Sequence, residues 1–338
     1  MTRKLIIAFS IISTILMSCK KKESIPIPTS MPKVYVTTIE SNGTTNAATI
    51  RVDAVVTKLT DGTMNAAVGY IAVNNNDVYV AGWERNPAGF SFAKIWKNGV
   101  ASSLTDGTLN AGVNKVFVLG ADVYAAGFDG AYAKIWKNGT VLFSTDGTKT
   151  ERIISLFIVG ADVYAAGYEF AGGLVNAKIW KNGVATFLTD KSKNSTAKAL
   201  YVIGTDVYVA GYENNAGGIQ IAKVWKNGVA TSLTAGTSPA DVNGMFVSDT
   251  DVYVAGYENN GTVNIGKIWK NATPSSLTNV ANHGYIKSVY VQGSDVYAAG
   301  YEQLTGSGIQ KAIIWKNGIA TDLSNFSTNA FATDIVVK

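Results

Sequence analysis

The chain contains few of the residues that usually cross-link a fold or act in catalysis. Its 338 residues include one cysteine, one histidine and six prolines. A lone cysteine forms no intramolecular disulfide, so a folded domain must be stabilised by packing alone. One histidine and one cysteine supply too few ligands for zinc, and no calcium-loop pattern of alternating Asp and Asn is present. We therefore predict neither a metal nor a cofactor.

Excess charge of one sign is also nearly absent from the main part of the chain. The net charge is +5, but residues 1–32 carry five basic residues and one acidic residue, which leaves residues 33–338 near +1. A nucleic-acid-binding surface needs a concentrated basic face that releases counterions. We therefore predict no nucleic-acid partner.

The only long apolar run lies at the N-terminus, where Arg3 and Lys4 precede residues 5–17. The run is too short to span a bilayer and is typical of a secretory signal. Leu16-Met17-Ser18-Cys19 resembles the bacterial lipobox, which implies a signal peptide over residues 1–18 and lipid attachment at Cys19. Residues 19–32 would then be a tether. The alternative is that Cys19 is a buried thiol in a membrane-inserting segment.

A repeated unit fills the remainder of the sequence. Asp-Val-Tyr-Val-Ala-Gly-Tyr-Glu, a loop, and Ala-Lys-Ile-Trp-Lys-Asn-Gly recur every 40 to 45 residues. Each unit contains four short runs rich in β-branched and aromatic residues, which we name strands one to four in chain order. Four antiparallel strands at this period are typical of a β-propeller blade. The repeated tryptophans occupy one strand position, which indicates core packing rather than a binding platform.

The two ends of the repeat region complement each other. The first unit begins at its strand two, Val34–Val36, and the chain finishes with a strand-one sequence, Ala332–Val337. Pairing these segments would close a ring and remove open sheet edges. The sequence therefore predicts an all-β, seven-bladed β-propeller over residues 33–338, with four antiparallel strands per blade, and we expect a monomer. An open solenoid is the alternative.

Two hairpin turns allow predictions of turn geometry and strand pairing. Asn-Gly joins strands three and four in most units and is typical of a tight hairpin, whereas Asn271-Ala272 replaces it once and predicts a looser turn. In the third unit Asp129-Gly130 predicts a turn that pairs Tyr124 with Ile135. The repeat as a whole resembles those of exported bacterial β-propeller lipoproteins. That resemblance implies a fold and a location at the outer membrane or cell surface, but no reaction.

The loops of the repeat fall into two sets. Loops joining strands one to two and three to four are short and almost unchanged between units; we name their side the short-loop face. Loops joining strands two to three and four to one differ in length and content, as in residues 85–90, 214–218 and 303–308. Variable loops on a constant scaffold are where binding usually resides, so we predict a binding site on this variable-loop face. The alternative is that nothing constrains these loops.

Strand two of every unit ends in an acidic residue. A ring of carboxylates could hold a cation or sugar hydroxyl groups, and ligand-binding candidates here are Glu84, Glu169, Glu213, Glu258 and Glu302. Strand alternation also places several of these carboxylates beside a lysine of strand three, such as Lys94 or Lys223. The alternative role is therefore an ion pair within the blade, worth under about 1 kcal/mol each.

Three further residues depart from the repeat and could bind a ligand. Trp83 replaces the usual Tyr or Phe, and with Phe90 it could stack on a sugar, although core packing is the simpler role. His283 lies in the predicted variable loop 279–284. A catalytic histidine needs an orienting acid, and none can be assigned from its neighbours.

These observations favour a lipid-anchored envelope protein that binds or scaffolds a protein or glycan. A carbohydrate-active propeller enzyme is the alternative. It would need two carboxylates, or an acid and a base, to converge, and Asp241, Asp249 and His283 are the irregular polar residues available for this. A purely structural spacer is the third hypothesis. Because no catalytic constellation is visible, the sequence favours binding over catalysis, and no catalytic residue is assigned.

Overall fold

The computed structural model describes residues 32–324 and 328–338. The predicted signal segment and Cys19 lie outside the described residues. Residues 33–338 form one compact unit. The described ranges contain no helix that is long and apolar enough to cross a bilayer.

Seven four-stranded antiparallel sheets make up this unit, as predicted. Strands one are β4 (Ala66–Asn74), β8 (Ala111–Leu119), β12 (Thr150–Val159), β16 (Ser195–Ile203), β20 (Ala240–Ser248), β24 (His283–Gln292) and β28 (Ala330–Val337). Strands two are β1 (Val34–Ser41), β5 (Asp77–Arg85), β9 (Asp122–Asp129), β13 (Asp162–Ala171), β17 (Asp206–Asn214), β21 (Asp251–Asn259) and β25 (Asp295–Gln303).

Strands three are β2 (Asn46–Val52), β6 (Ser91–Lys97), β10 (Tyr132–Lys137), β14 (Leu174–Lys181), β18 (Gln220–Lys226), β22 (Asn264–Lys270) and β26 (Gln310–Lys316). Strands four are β3 (Val55–Lys58), β7 (Val100–Ser103), β11 (Thr140–Ser144), β15 (Val184–Phe187), β19 (Val229–Ser232), β23 (Thr273–Ser276) and β27 (Ile319–Asp322). Blade 1 is β28-β1-β2-β3, and blades 2 to 7 follow in chain order.

The ring is closed by the two ends of the repeat region. β28 pairs antiparallel with β1, with Ile335 opposite Val36 and Val336 opposite Tyr35, which confirms the predicted closure. Strand one of each blade contacts strands one of both neighbours, from β28 through β24 and back to β28. Strands one therefore surround a central channel, and strands four form the rim.

The hydrophobic core lies between the blades. Seven clusters each combine residues of two adjacent blades, one for each interface of the ring. Six of these clusters contain a repeated tryptophan, such as Trp225, which is 1% exposed, so the predicted core role is confirmed. In blade 1 Arg51 takes this place and pairs with Glu40 at 2.7 Å. Since all clusters lie within residues 33–338, this segment carries a complete core of its own.

The hairpin turns between strands three and four are uniform in blades 2 to 7. Asn98 and Gly99 both have positive φ, and so do their counterparts in blades 3 to 7, whereas in the Asp53-Ala54 turn of blade 1 only Asp53 does. The prediction of a looser turn at Asn271-Ala272 is wrong, because Lys270 pairs directly with Thr273 and both turn residues have positive φ, 50° and 67°. Packing of the blade therefore imposes a left-handed conformation on an alanine.

The predicted pairing in blade 3 is also wrong, by two residues. Tyr124 lies opposite Lys137 rather than Ile135, because the turn residues are Gly130 and Ala131 and Asp129 pairs with Tyr132. Gly130, at φ 60°, takes the first central position, where a two-residue turn of the type II′ class requires glycine. A shift of two keeps every side chain on its predicted face of the sheet.

Candidate functional site

Each strand one carries a β-bulge at the same place. The register shifts between Val68 and Tyr70 in β4, and at the equivalent point in every other strand one. In β28 the irregularity falls between Asp334 and Ala332. A bulge leaves one residue unpaired and redirects its neighbours, and bulges are common beside functional sites. Here they direct two successive residues of each blade toward the channel.

The residues at these bulges differ from blade to blade, although the surrounding sequence is repeated. The unpaired residue is Gly69, Asn114, Ile154, Lys198, Asn243, Lys287 or Thr333, and the next residue is Tyr70, Lys115, Ser155, Ala199, Gly244, Ser288 or Asp334. The channel is therefore where the repeat loses its symmetry.

Tyr70 divides the channel into two compartments. Its hydroxyl group crosses from blade 2 to blade 6 and donates to the carbonyl oxygen of Asn243 at 3.4 Å. On one side lies a cavity of about 330 Å³ with Lys198, Lys287 and Tyr168 in its wall, which we name the vestibule. Strands one begin at the variable-loop face, and these lysines precede the remaining channel residues of their strands. The vestibule therefore opens toward the variable-loop face.

Two lysines dominate the electrostatics of the vestibule. Lys198 donates to the carboxylate of Asp241, whose other oxygen accepts from the Val242 backbone N–H at 2.8 Å. Lys287 has no carboxylate within 4 Å in the described part of the chain and lies 5.6 Å from the centroid of the Tyr301 ring. Burial and the nearby Lys198 lower the pKa of Lys287 to about 8, and Asp241 opposes them.

In blades 2 to 7 aromatic side chains occupy the strand-two position next to the acidic residue. Lys198 lies 5.7 Å from the Tyr212 ring, and Arg152 lies 4.2 Å from the Phe128 ring. Tyr285 stacks on Tyr301 with centroids 4.8 Å apart. Cations held over aromatic faces combine positive charge with an apolar surface, which suits a ligand with both an anionic group and a ring face.

The other compartment is a cavity of about 350 Å³, which we name the chamber. Its wall includes five aromatic side chains at equivalent positions of blades 3 to 7: Phe117, Phe157, Tyr201, Phe246 and Tyr290. Lys115 and Asp334 lie at its inner end, beside Tyr70.

Asp334 is a structural residue of this inner end. Its carboxylate accepts from the backbone N–H groups of Ile71 and Ile335, both at 3.0 Å, and from the hydroxyl group of Ser288. Burial raises the pKa of Asp334, although Lys115 and these three donors act in the opposite direction. Through these bonds the closing strand β28 is held to blades 2 and 7.

The predicted carboxylate ring does not face the channel. Glu84 pairs with Lys94 and Glu213 with Lys223, which is the intra-blade arrangement that strand alternation predicted. Asp129 and Lys134 lie 2.7 Å apart in the same way. The carboxylate and the neighbouring aromatic residue point to opposite sides of strand two, so these carboxylates are engaged within their blades.

The remaining acidic candidates are engaged as well. Glu169 is buried and accepts from Lys178 at 2.6 Å and from Lys149 at 3.2 Å. Burial raises its pKa, but the two lysines outweigh burial and the net shift is downward. Glu258 pairs with Lys267, and Glu302 accepts from the Asn282 side chain at 3.2 Å.

The candidate ligand-binding residues that depart from the repeat lie at different positions in the fold. Trp83 lies in β5 at the position equivalent to Tyr168 and packs toward Gly112 of the next blade. Phe90 is 39% exposed in the loop after β5. His283 begins β24 rather than lying in a loop, and its Nδ1 accepts from the Asn264 backbone N–H at 3.1 Å. Asn110 makes the same contact to Ser91, so His283 takes a structural position that asparagine fills elsewhere.

The three irregular polar residues available to the enzyme hypothesis do not converge. Asp241 lies near the start of β20 and Asp249 in the turn after its end, so they are separated by roughly 26 Å at about 3.3 Å per residue. His283 belongs to the neighbouring blade and is engaged with Asn264. Within residues 32–324 and 328–338, no group of three His, Cys, Asp or Glu side chains could hold a metal ion.

Sequence reasoning missed the channel residues, although two features could have revealed them. Along strand one the buried apolar residues are two positions apart except at one point, where they are three apart. In β16, for example, Ala197 and Leu200 are three apart, Val202 follows Leu200 by two, and all three are buried. A strict period of two predicts no such step, and a bulge explains it. Strand two repeats a glycine opposite the bulge, and a Cβ at Gly211 would lie 1.9 Å from the carbonyl oxygen of Thr196. Glycine within a strand marks such close approach.

Together these features define a seven-bladed β-propeller with a divided, ligand-sized channel. No protein-family model and no curated protein matches the chain. Among solved structures, the β-propeller domain of the Trilobed protease from Pyrococcus furiosus is similar, with a TM-score of 0.57 and 11% identity over 88% of this chain and 95% of that one. That domain is described as having an open velcro topology, whereas β28 closes the ring here.

The acylaminoacyl peptidase of Pyrococcus horikoshii is also similar, with a TM-score of 0.53 and 11% identity. The alignment covers 88% of this chain and 52% of the peptidase, so the chain spans about half the length of that enzyme. At this level of identity the likeness shows the propeller fold alone.

Proposed function

We propose that this protein binds an acidic glycan in the vestibule and is held at the bacterial cell envelope by a lipid at Cys19. The observation that carries the proposal is the Lys287 ammonium group, which lies in the vestibule with no carboxylate within 4 Å among the described residues. Lys287 is half-buried, and a cation that is partly removed from water without a counter-ion is costly, so an anionic ligand would supply the missing partner.

The charge of the vestibule supports an anion. Lys198 and Lys287 lie in its wall, and Asp241 neutralises only Lys198. Arg152 adds a third cation. Its guanidinium group lies 4.2 Å from the Phe128 ring centroid, and its hydrogen-bond partner among the described residues is the backbone oxygen of Glu151. The mouth of the channel therefore carries net positive charge, although the domain as a whole is close to neutral.

The wall chemistry supports a sugar chain rather than a bare anion. Tyr168 borders the cavity, while Thr196, Thr333 and Asn243 supply polar groups beside it. Aromatic faces pack against the C–H faces of rings, and hydroxyl and amide groups pair with sugar hydroxyl groups. A cavity of about 330 Å³ has the size of one or two sugar units, and the vestibule opens to admit a longer chain.

The N-terminal segment supports a location at the envelope. The lipobox-like Leu16-Met17-Ser18-Cys19 and the polar segment that follows it precede the propeller directly. One lipid chain gives only marginal membrane binding, so stable anchoring requires the multiple acylation that a lipobox cysteine implies.

Isothermal titration calorimetry of residues 33–338 tests the proposal, with oligogalacturonate and its carboxyl-reduced, neutral counterpart as ligands. We expect binding of the acidic oligosaccharide and at least about tenfold weaker binding of the neutral one, because hydrogen bonds to charged groups contribute about 1.5–3 kcal/mol. Lys287→Met should weaken binding by a similar factor.

Two control variants separate the vestibule from the other charged positions. Glu213→Gln removes a carboxylate that is paired within its blade, and Lys270→Met removes an exposed lysine of the short-loop face. Both should leave the affinity unchanged. Equal binding of the acidic and neutral oligosaccharides, or an unaltered affinity in Lys287→Met, would reject the proposal. Absence of binding to both oligosaccharides would favour a structural role.

A further inference from the structure

The chamber contains a continuous belt of aromatic rings. From blade 3 to blade 7 the centroids of Phe117, Phe157, Tyr201, Phe246 and Tyr290 follow one another at 5.0, 4.7, 5.5 and 4.8 Å. Successive planes are tilted by 49° to 56°, the range in which aromatic rings attract edge to face. All five side chains are only half-buried, so the belt faces open space.

The belt is incomplete, and the gap creates the cavity. The equivalent positions in blades 2 and 1 are Ala72, opposite Tyr79, and Val336, opposite Tyr35. Two small residues in place of two rings leave a volume of about 350 Å³ beside the belt. An aromatic ring placed there would continue the edge-to-face series.

The inner end of the chamber carries a free donor. Lys115 lines the cavity, its Nζ lies 4.0 Å from the centroid of the Tyr70 ring, and no carboxylate lies within 4 Å of it in the described ranges. Burial lowers the pKa of Lys115, and Asp334 opposes this. Because Asp334 is already bonded to three donors, the Lys115 ammonium group is available to an oxygen of a ligand.

The outer end is apolar. Leu119, Val159 and Ile203 end the strands one of blades 3 to 5 and are 41%, 39% and 38% exposed. Each follows a belt residue by two positions, so strand alternation places it on the same side of the strand, toward the short-loop face. Tyr201 and Tyr290 have no hydrogen-bond partner for their hydroxyl groups among the described residues, so these groups are free to contact water or a ligand.

We propose that the chamber is a second binding site, which takes a small aromatic compound that carries an acceptor oxygen, a carbonyl or carboxylate group. The ring fills the gap beside Ala72 and Val336, and the oxygen accepts from Lys115. The site is reached from the short-loop face. It does not depend on the glycan site, because Tyr70 separates the two compartments.

Ligand-observed NMR on residues 33–338 tests this site with benzamide, benzoate and cyclohexanecarboxamide. We expect both aromatic compounds to bind, and the cyclohexane compound to bind several-fold more weakly because it lacks the ring quadrupole. Ala72→Phe fills the gap with an aromatic residue, as found at this position in blades 3 to 7, and should abolish binding. Lys115→Met should weaken it by about tenfold.

Control measurements distinguish this site from the vestibule. Tyr168→Ala and Lys287→Met should leave benzamide binding unchanged, and oligogalacturonate should not displace benzamide. Folding of each variant is checked by its thermal midpoint. Undiminished benzamide binding to a folded Ala72→Phe variant, or displacement of benzamide by oligogalacturonate, would overturn the proposal. Loss of glycan binding alone would leave it intact.

Discussion

The repeat is nearly constant at the interfaces between the blades, but it varies at the lining of the channel. At the interfaces, equivalent positions carry nearly the same residue, such as Trp96 and Trp225, both 1% exposed. At the channel, the equivalents of Lys198 include glycine, asparagine, isoleucine and threonine. Repetition therefore accounts for the stability of the ring, and its loss marks the surface where the chain is specialised.

The difference has a physical origin. A residue between two blades must match the volume of the same neighbours in every repeat, because protein interiors are close-packed. The unpaired residue of each strand-one bulge is only half-buried and faces the channel, so it meets no such constraint. The variable loops differ for the same reason, so they alone are weaker evidence of function than the channel residues.

The largest expected effect concerns stability and sharpens this comparison. Trp225→Ala should lower the free energy of unfolding by about 3–5 kcal/mol, because it empties a buried site between blades 4 and 5. Tyr201→Ala, at the half-buried channel wall, should cost about 1–2 kcal/mol. Denaturant unfolding of both variants measures the difference. Similar losses in the two variants would contradict the division between core and channel.

Asp334 is an exception to this division, because it lies at the channel but holds the ring closed. Asp334→Ala leaves the backbone N–H groups of Ile71 and Ile335 without this acceptor, and we expect a loss of about 2–4 kcal/mol. Ser288→Ala removes one donor only and should cost about 1 kcal/mol. Urea midpoints of the two variants provide the measurement. If Asp334→Ala costs no more than Ser288→Ala, Asp334 does not hold the ring closed.

The next prediction concerns pH and the vestibule. Lys287, with a pKa of about 8, is charged below that pH and becomes neutral as the pH rises through it. Affinity for oligogalacturonate should therefore fall between pH 7 and 9, as followed by calorimetry. Direct titration of the lysine side chains by NMR should show Lys198→Met raising the pKa of Lys287, since a neighbouring positive charge is removed. A flat affinity over this range would exclude Lys287 as the ligand's partner.

The smallest effect concerns a turn that departs from the repeat. Ala272 has φ 67°, a conformation that costs a residue with a Cβ about 1–2 kcal/mol. Ala272→Gly relieves this strain but gains flexibility in the unfolded chain, so we expect a net stabilisation of about 0.5–1 kcal/mol. The reverse change, Gly228→Ala, should destabilise by a similar amount. A thermal midpoint that falls in Ala272→Gly would show that the turn is not strained.

Much of the fold could be predicted from the sequence because its determinants are local and repeated. The period, the Asn-Gly turns and the alternation of strands predict seven four-stranded blades, and the complementary ends predict closure through Ile335 and Tyr35. The pairing of Glu84 with Lys94 follows from alternation as well. Each of these features depends on neighbours in the chain or on the adjacent strand of the same blade.

The site could not be predicted in the same way, because its residues come from different blades and meet only in the closed ring. Lys198, Asp241 and Lys287 come from three different blades, and Tyr70 reaches Asn243 from blade 2 to blade 6. The sequence alone determined the blade, the number of blades and the closure. Only the tertiary structure decided that the bulge residues face the channel and divide it, since the curvature of the ring brings together side chains that are far apart in the chain.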